Sequence, residues 1–406
     1  MACPLGQLAR KTGPLPLLGL FVVLLLAALW GGLVRIGWGW PVPWERMPEI
    51  HGALVVCGFL GGVIGVERAV ALGRWWGWLT PVFALLGAVA LFGTLPEVSP
   101  LDPRWARGFF VAEAAILSLV TGVVLVRQPV LHSAVITLGA VSWLAGNALW
   151  FFGSPISKVV PWWMGFLVLT IAAERLELSR MTRLTRFATI SFVTAVAALG
   201  ATLAWATVDP PHGLRALGVV FAVLAVWLLR FDVARRTVRI AGLPRFIATG
   251  LLSGYAWLAV AGVFLTGWAP DLARNALSRD FAYHAIFLGF VFSMIMAHAP
   301  VILPAVTGLP AAWTRFLYLP LAGLHATLAV RLVADATAWM PGRQWGGLLN
   351  AASIVFFFAT LGIATFRARA KAPAGVRGGR GETHLPGHEP ARLSTPGRDV
   401  APQAVL

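Results

Sequence analysis

The sequence predicts an all-α membrane protein of about twelve spanning helices, and three observations carry that reading. Hydrophobic residues make up 58% of the chain and charged residues only 12%, a balance outside the soluble globular range. The apolar residues gather in runs close to the roughly 20 that a helix needs to cross a bilayer. The runs are continuous, unlike the alternating segments of about ten residues that build a barrel.

Taken in order, the runs cover 15–34, 49–72, 76–95, 105–126, 131–152, 159–178, 187–207, 213–230, 245–267, 280–300, 313–333 and 345–366. Arg10 and Lys11 precede the first, as in a secretory signal. That run is too long for a signal's apolar region and no small-residue cleavage site closes it, so it reads as a retained signal-anchor helix. Residues 1–366 form one polytopic membrane domain. Residues 367–406, rich in Gly, Pro and Arg, read as a disordered basic cytoplasmic tail containing His384 and His388.

Short-loop arginines set the orientation. With the N-terminus inside, the inner loops hold Arg68, Arg74, Arg127, Arg175, Arg180, Arg183, Arg186, Arg230, Arg235, Arg236, Arg239 and Arg245. The outer loops hold fewer cations, among them Arg35, Arg46, Arg274, Arg279 and Arg343. An even helix count then places both termini on the cytoplasmic side, where Arg367, Arg369 and Lys371 follow the last run. The net charge of +16 is then topological charge facing anionic headgroups and calls for no nucleic acid. The two cysteines, Cys3 and Cys57, form no Cys-x-x-Cys-His run, which excludes c-type haem attachment and any cysteine-held cluster.

A weak repeat runs through the domain. Gly58-Phe59-Leu60, Gly165-Phe166-Leu167 and Gly289-Phe290-Val291 lead to Ile64, Ile171 and Ile295, then to Glu67, Glu174 and His298. The copies fall four helices apart, in helices 2, 6 and 10, so the chain is expected to be three four-helix arcs.

Ionisable residues within a bilayer are costly and point to function. His51 and His284 open helices 2 and 10 at matching depth. Two imidazoles so placed can hold one haem iron from both faces, with Gly52 leaving room beside the ring; otherwise each is an interfacial histidine wetted from outside. Glu49 is the candidate second-shell acceptor for His51, and Arg46, Arg331 and Arg343 lie at the level of haem propionates. His298 is about 21 Å further along helix 10 than His284, too far to share a metal. It reads as a cap at the helix end, with a second metal or proton site as the alternative. His325, mid-helix 11, is a reserve ligand beside it. His132 and His212 read as interfacial. Glu113 serves either a proton path or a hydrogen bond to a neighbouring helix, and Asn147 ties helices together. Glu67-Arg68 and Glu174-Arg175 read as ion pairs or helix-end anchors. Trp30, Trp38, Trp40, Trp44, Trp162 and Trp163, of 19 tryptophans, are expected at the outer interface.

The stretch His51-Gly52-Ala53-Leu54-Val55-Val56-Cys57-Gly58-Phe59 resembles helix 2 of the catalytic subunit of haem-copper oxidases. There a His-Gly pair near the outer face supplies one low-spin haem ligand, and helix 10 supplies the other. The chain is more closely similar to the NnrS family, twelve-helix membrane proteins thought to bind haem and copper and linked to the bacterial nitric oxide response. The stretch from His284 through Gly289-Phe290 to His298-Ala299-Pro300 looks like a motif of that group. The resemblance implies a haem b on His51 and His284, with nitric oxide response or respiratory electron transfer as the setting, and a small diatomic ligand or a redox protein as partner. It is limited to helices 2 and 10 at the level of motifs. Helices 6 and 7 carry no histidine and position 282 is Ala, so copper and the oxygen-reducing centre lack support.

Two other readings stand beside this one: a twelve-helix secondary transporter without a redox cofactor, and a structural subunit of a respiratory complex. A transporter would show helices broken near mid-membrane; Pro300 and Pro304 fall instead at the inner end of helix 10.

Overall fold

The computed structural model describes residues 13–41, 47–94, 102–179 and 184–371. Among them twelve helices are long and apolar enough to cross a membrane: α1 Leu15–Arg35, α2 Met47–Leu72, α3 Trp75–Gly93, α4 Pro103–Arg127, α5 Leu131–Phe151, α6 Ile156–Ser179, α7 Arg186–Val208, α8 Pro210–Phe231, α9 Leu243–Ala273, α10 Ala276–Thr307, α11 Arg315–Thr337 and α12 Met340–Ala370. The chain is a multi-pass membrane protein. Even-numbered helices all run from one face, here termed upper, to the lower face.

Three helices form the inside. The apolar windows of α2, α6 and α10 are 67%, 78% and 61% buried, against 50% or less for each of the other nine. Each is the second of a consecutive set of four, as the three-arc expectation requires. They are also the three that carry the Gly-Phe repeat. Small residues explain how neighbours close around them, since without a hydrophobic drive between helices in lipid, close backbone packing holds them together. A Cβ on Gly61 of α2 would lie 2.6 Å from Cζ2 of Trp143 on α5. In the outer layer Gly218 and Gly262 set α8 directly on α9: a Cβ on Gly218 would lie 2.7 Å from the carbonyl oxygen of Gly262.

Two of the inner helices are not α-helical throughout. Leu54–Gly61 in α2 and Ala285–Phe292 in α10 are wide π-helical stretches of 8 residues each. They match in register: Gly58-Phe59 and Gly289-Phe290 hold the fifth and sixth places of their stretches. The third copy, in α6, is regular α-helix. Stretches of this kind recur at functional positions in other proteins. The two meet where the rings of Phe59 and Phe292 stack, 6.2 Å between centroids.

Several expected boundaries shift. α10 continues through Pro300 and Pro304 to Thr307 and ends on Gly308 at φ +69°, so His298 does not close the helix. A proline removes one ladder donor, a loss that membrane helices tolerate. The last helix runs to Lys371 and takes in the first five residues of the expected tail; the rest of that segment, with His384 and His388, lies outside the described residues. Arg10, Lys11, Arg46, Trp44, Arg180 and Arg183 lie outside them too. Trp163 is not interfacial: it is buried in the core with its indole N–H donated to Asn147 Oδ1 at 3.0 Å. Asn147 also donates to the Phe110 carbonyl at 3.2 Å and accepts from the Cys57 thiol, tying α2, α4, α5 and α6 together as expected. Trp30, Trp38 and Trp40 do gather at the upper edge, with Trp38 edge-on to Trp345 at 5.3 Å.

Candidate functional site

His51 and His284 both lie in the upper half of the bundle. Each is within electrostatic reach of Asp280 and Arg331, and His284 is within reach of His51. His51 Nδ1 lies 2.8 Å from the Pro48 carbonyl, one turn back on α2. His284 Nδ1 lies 2.8 Å from the Asp280 carbonyl. A carbonyl only accepts, so in each neutral ring the proton is on Nδ1 and the lone pair on Nε2. The acceptor for His51 is thus the Pro48 carbonyl rather than the Glu49 side chain. For His51, no hydrogen bond to Nε2 occurs among the described residues. Its ring edge faces α1, where a Cβ on Gly32 would be 3.6 Å from Cδ2. The room expected at Gly52 is present, with nothing within 4 Å of a Cβ built there.

Around His284 stands a charged group that hydropathy does not reveal. Asp280 Oδ2 accepts from Arg331 Nη2 at 2.9 Å and from Arg343 Nη2 at 3.1 Å. Arg343 Nε also donates to Asp335 Oδ1 at 3.0 Å, and Arg331 Nη2 lies 3.2 Å from His284 Nε2. Arg331 and Arg343 are therefore balanced by two carboxylates, Asp280 and Asp335. Among the described residues the group is incompletely satisfied: Arg331 Nε and Asp335 Oδ2 are buried without a hydrogen-bond partner. Asp280 lies four residues before His284, a spacing that puts both on one helix face; its bonds to Arg331 and Arg343 come from other helices.

Haem fits this donor set in three respects. Both imidazoles are held by Nδ1 in the tautomer that binds iron through Nε2. The backbone at Gly52 is open, with nothing within 4 Å of a Cβ built there. The unpartnered Arg331 Nε is a buried donor suited to a carboxylate. No group of three or more His, Cys, Asp or Glu side chains able to hold a bare metal ion occurs among the described residues, whereas a porphyrin needs only the two axial groups.

The other expected residues lie elsewhere. His298 donates Nδ1–H to the Met294 carbonyl and its Nε2 is 3.2 Å from Arg175 Nη1. Arg175 forms a two-pronged pair with Asp232, 2.7 and 3.1 Å. Asp232 also accepts from Tyr255 and from the Ala234 N–H, each at 2.7 Å. The Glu-Arg pairs of the repeat cross between helices: Arg68 of α2 bonds Glu174 of α6. His325 is occupied at both nitrogens. Trp257 Nε1 donates to its Nδ1 at 2.9 Å, which puts the ring proton on Nε2, 2.8 Å from Ser253 Oγ. His325 therefore joins α9 to α11 and has no lone pair left for a metal. Glu113 is fully buried, and among the described residues neither carboxyl oxygen has a hydrogen-bond partner. Arg107 does not reach it, lying over the Trp150 ring at 5.4 Å. His132 is buried, 3.8 Å from Glu177, and His212 is exposed beside Asp209.

Comparison with known proteins gives a family and no more. Residues 14–366 match the family described as a domain of unknown function, DUF8744, and the chain belongs to it. No curated protein and no solved structure matches it.

Proposed function

We propose that this chain is a membrane b-type haem protein, NnrS-like, that holds one haem between α2 and α10. The observation that carries the proposal is that His51 and His284 each commit Nδ1–H to a backbone carbonyl; Nε2 of His51 is open among the described residues, and Nε2 of His284 accepts only from Arg331 Nη2 at 3.2 Å, a bond that a ligand would displace. His51 and His284 would hold the haem, which would supply one-electron chemistry suited to electron transfer. The chain's own part is to fix both rings, to keep that half of the bundle dry, and to offer Arg331 and Arg343 near carboxylates at the upper face. Copper has no comparable support. The exposed Arg235, Arg236 and Arg239 of the lower face support a cytoplasmic lower side in a bacterial inner membrane, with both termini on that side. Nitric oxide response and respiratory electron transfer are the two settings that the NnrS resemblance supplies.

The test is a reduced-minus-oxidised absorption spectrum of detergent-purified protein expressed with haem supply. A sharp Soret and α-band is expected in the wild type, lost or shifted in His51→Ala and in His284→Ala. Native bands persisting in the double variant would end the proposal.

A further inference from the structure

A mostly apolar space lies away from the histidine pair, in the lower half of the bundle. It is a cavity of about 530 Å³ bounded by α1, α2, α6, α10 and α12. The three repeat copies converge on it. Leu60, Leu167 and Val291 line it, and so do the polar residues seven positions on, Glu67, Glu174 and His298. The positions three and four after each first residue line it as well, so one face of each inner helix is given to the cavity.

The polar end offers acceptors. Glu67 has one ion-pair contact, 3.7 Å to Arg68, and Arg68 also bonds Glu174; the two carboxylates keep 28% and 27% of their side chains exposed there. His298 has given its Nδ1–H to Met294, and its Nε2 takes a bond from Arg175. Two carboxylates against Arg68, with Arg175 held by Asp232, leave one net negative charge. A carboxylate or phosphate head is repelled there. The other end opens sideways: Leu26 of α1 and Val355 and Ala359 of α12 both line the cavity and are exposed on the apolar flank of the bundle. An occupant entering by that mouth comes through lipid, where carrying an ammonium is costly.

We propose that this cavity binds a neutral hydroxyl-headed lipophile, an alkylphenol or a long-chain alcohol. Its O–H donates to Glu67 or Glu174 and its tail lies along α1 and α12. The cavity is at the far end of α10 from His284, so the proposal is independent of the haem reading.

Photolabelling in proteoliposomes of phosphatidylethanolamine and phosphatidylglycerol tests it. Tail-diazirine probes built on 4-dodecylphenol, dodecan-1-ol, the phenol's methyl ether, dodecanoate and dodecylamine are compared. Peptides of α1 and α12 at Leu26 and Val355 are expected to be labelled by the hydroxyl probes and protected by unlabelled 4-dodecylphenol. Labelling by the phenol alone, or by both hydroxyl probes, identifies the source within the class. Glu67→Gln exchanges a charge-assisted bond for a neutral one, and labelling is expected to fall about tenfold. Ile171→Phe narrows the wall and is expected to abolish it, with helicity and thermal transition as fold controls. The labelling should be unchanged in His51→Ala/His284→Ala protein. Equal labelling by the ether, stronger labelling by dodecanoate or dodecylamine, or labelling not reduced by the free phenol overturns the proposal, and each of these is read on the unaltered chain.

Discussion

The two ends of α10 carry the same local arrangement put to different use. At each end a histidine gives Nδ1–H to the carbonyl four residues back and faces an arginine with Nε2, and that arginine is held by an aspartate. At the lower end the arrangement is closed: Asp232 takes four hydrogen bonds, from Arg175 twice, Tyr255 and Ala234. At the upper end it is open. Arg331 Nε and Asp335 Oδ2 lack partners, Gly52 borders free space, and a second histidine stands nearby. Polar groups buried in full satisfaction define a structure. Groups left short of partners beside open space are arranged for something that arrives.

The largest test of that contrast is Asp232→Ala. It strands Arg175 in the core and is expected to cost about 3–5 kcal/mol, seen as loss of folded protein or a large fall in the thermal transition in detergent. Asp280→Asn at the upper end is expected to cost about 1–3 kcal/mol and to shift the haem bands as Arg331 and Arg343 are released; a loss as large as that of Asp232→Ala would make the upper group structural. His325→Phe removes two side-chain bonds, at about 1–2 kcal/mol, and should leave any haem spectrum unmoved. Smallest, and opposite in sign, is Glu113→Leu. It removes an unpartnered buried carboxyl and is expected to gain about 1 kcal/mol, so a clear loss would show that the carboxyl has a partner when the protein works.

Hydropathy is a local property, so the twelve spans were legible to within a few residues at most ends. The repeat was legible because three inner helices need the same residues on the same face. Pairings between helices were not. Glu67-Arg68 reads as a pair along the chain, yet Arg68 bonds Glu174 across a helix gap, and Asp232 sits in a loop whose charge alone says nothing about Arg175. Nor do the π-helical stretches have a hydropathy signature: they show as close packing, with a Cβ on Gly289 falling 2.6 Å from Trp257 Cγ. Of the histidine site, the two rings and Gly52 were readable, while Asp280 and Asp335 needed the α11 and α12 neighbours to give them meaning.

The most direct measurement is the electron paramagnetic resonance of the ferric protein. One low-spin haem per chain is expected in the wild type, with each single histidine substitution converting it to a high-spin species or emptying the site. A purified chain that takes up no haem when supplied with it, or one whose low-spin signal survives the loss of both rings, would contradict the account.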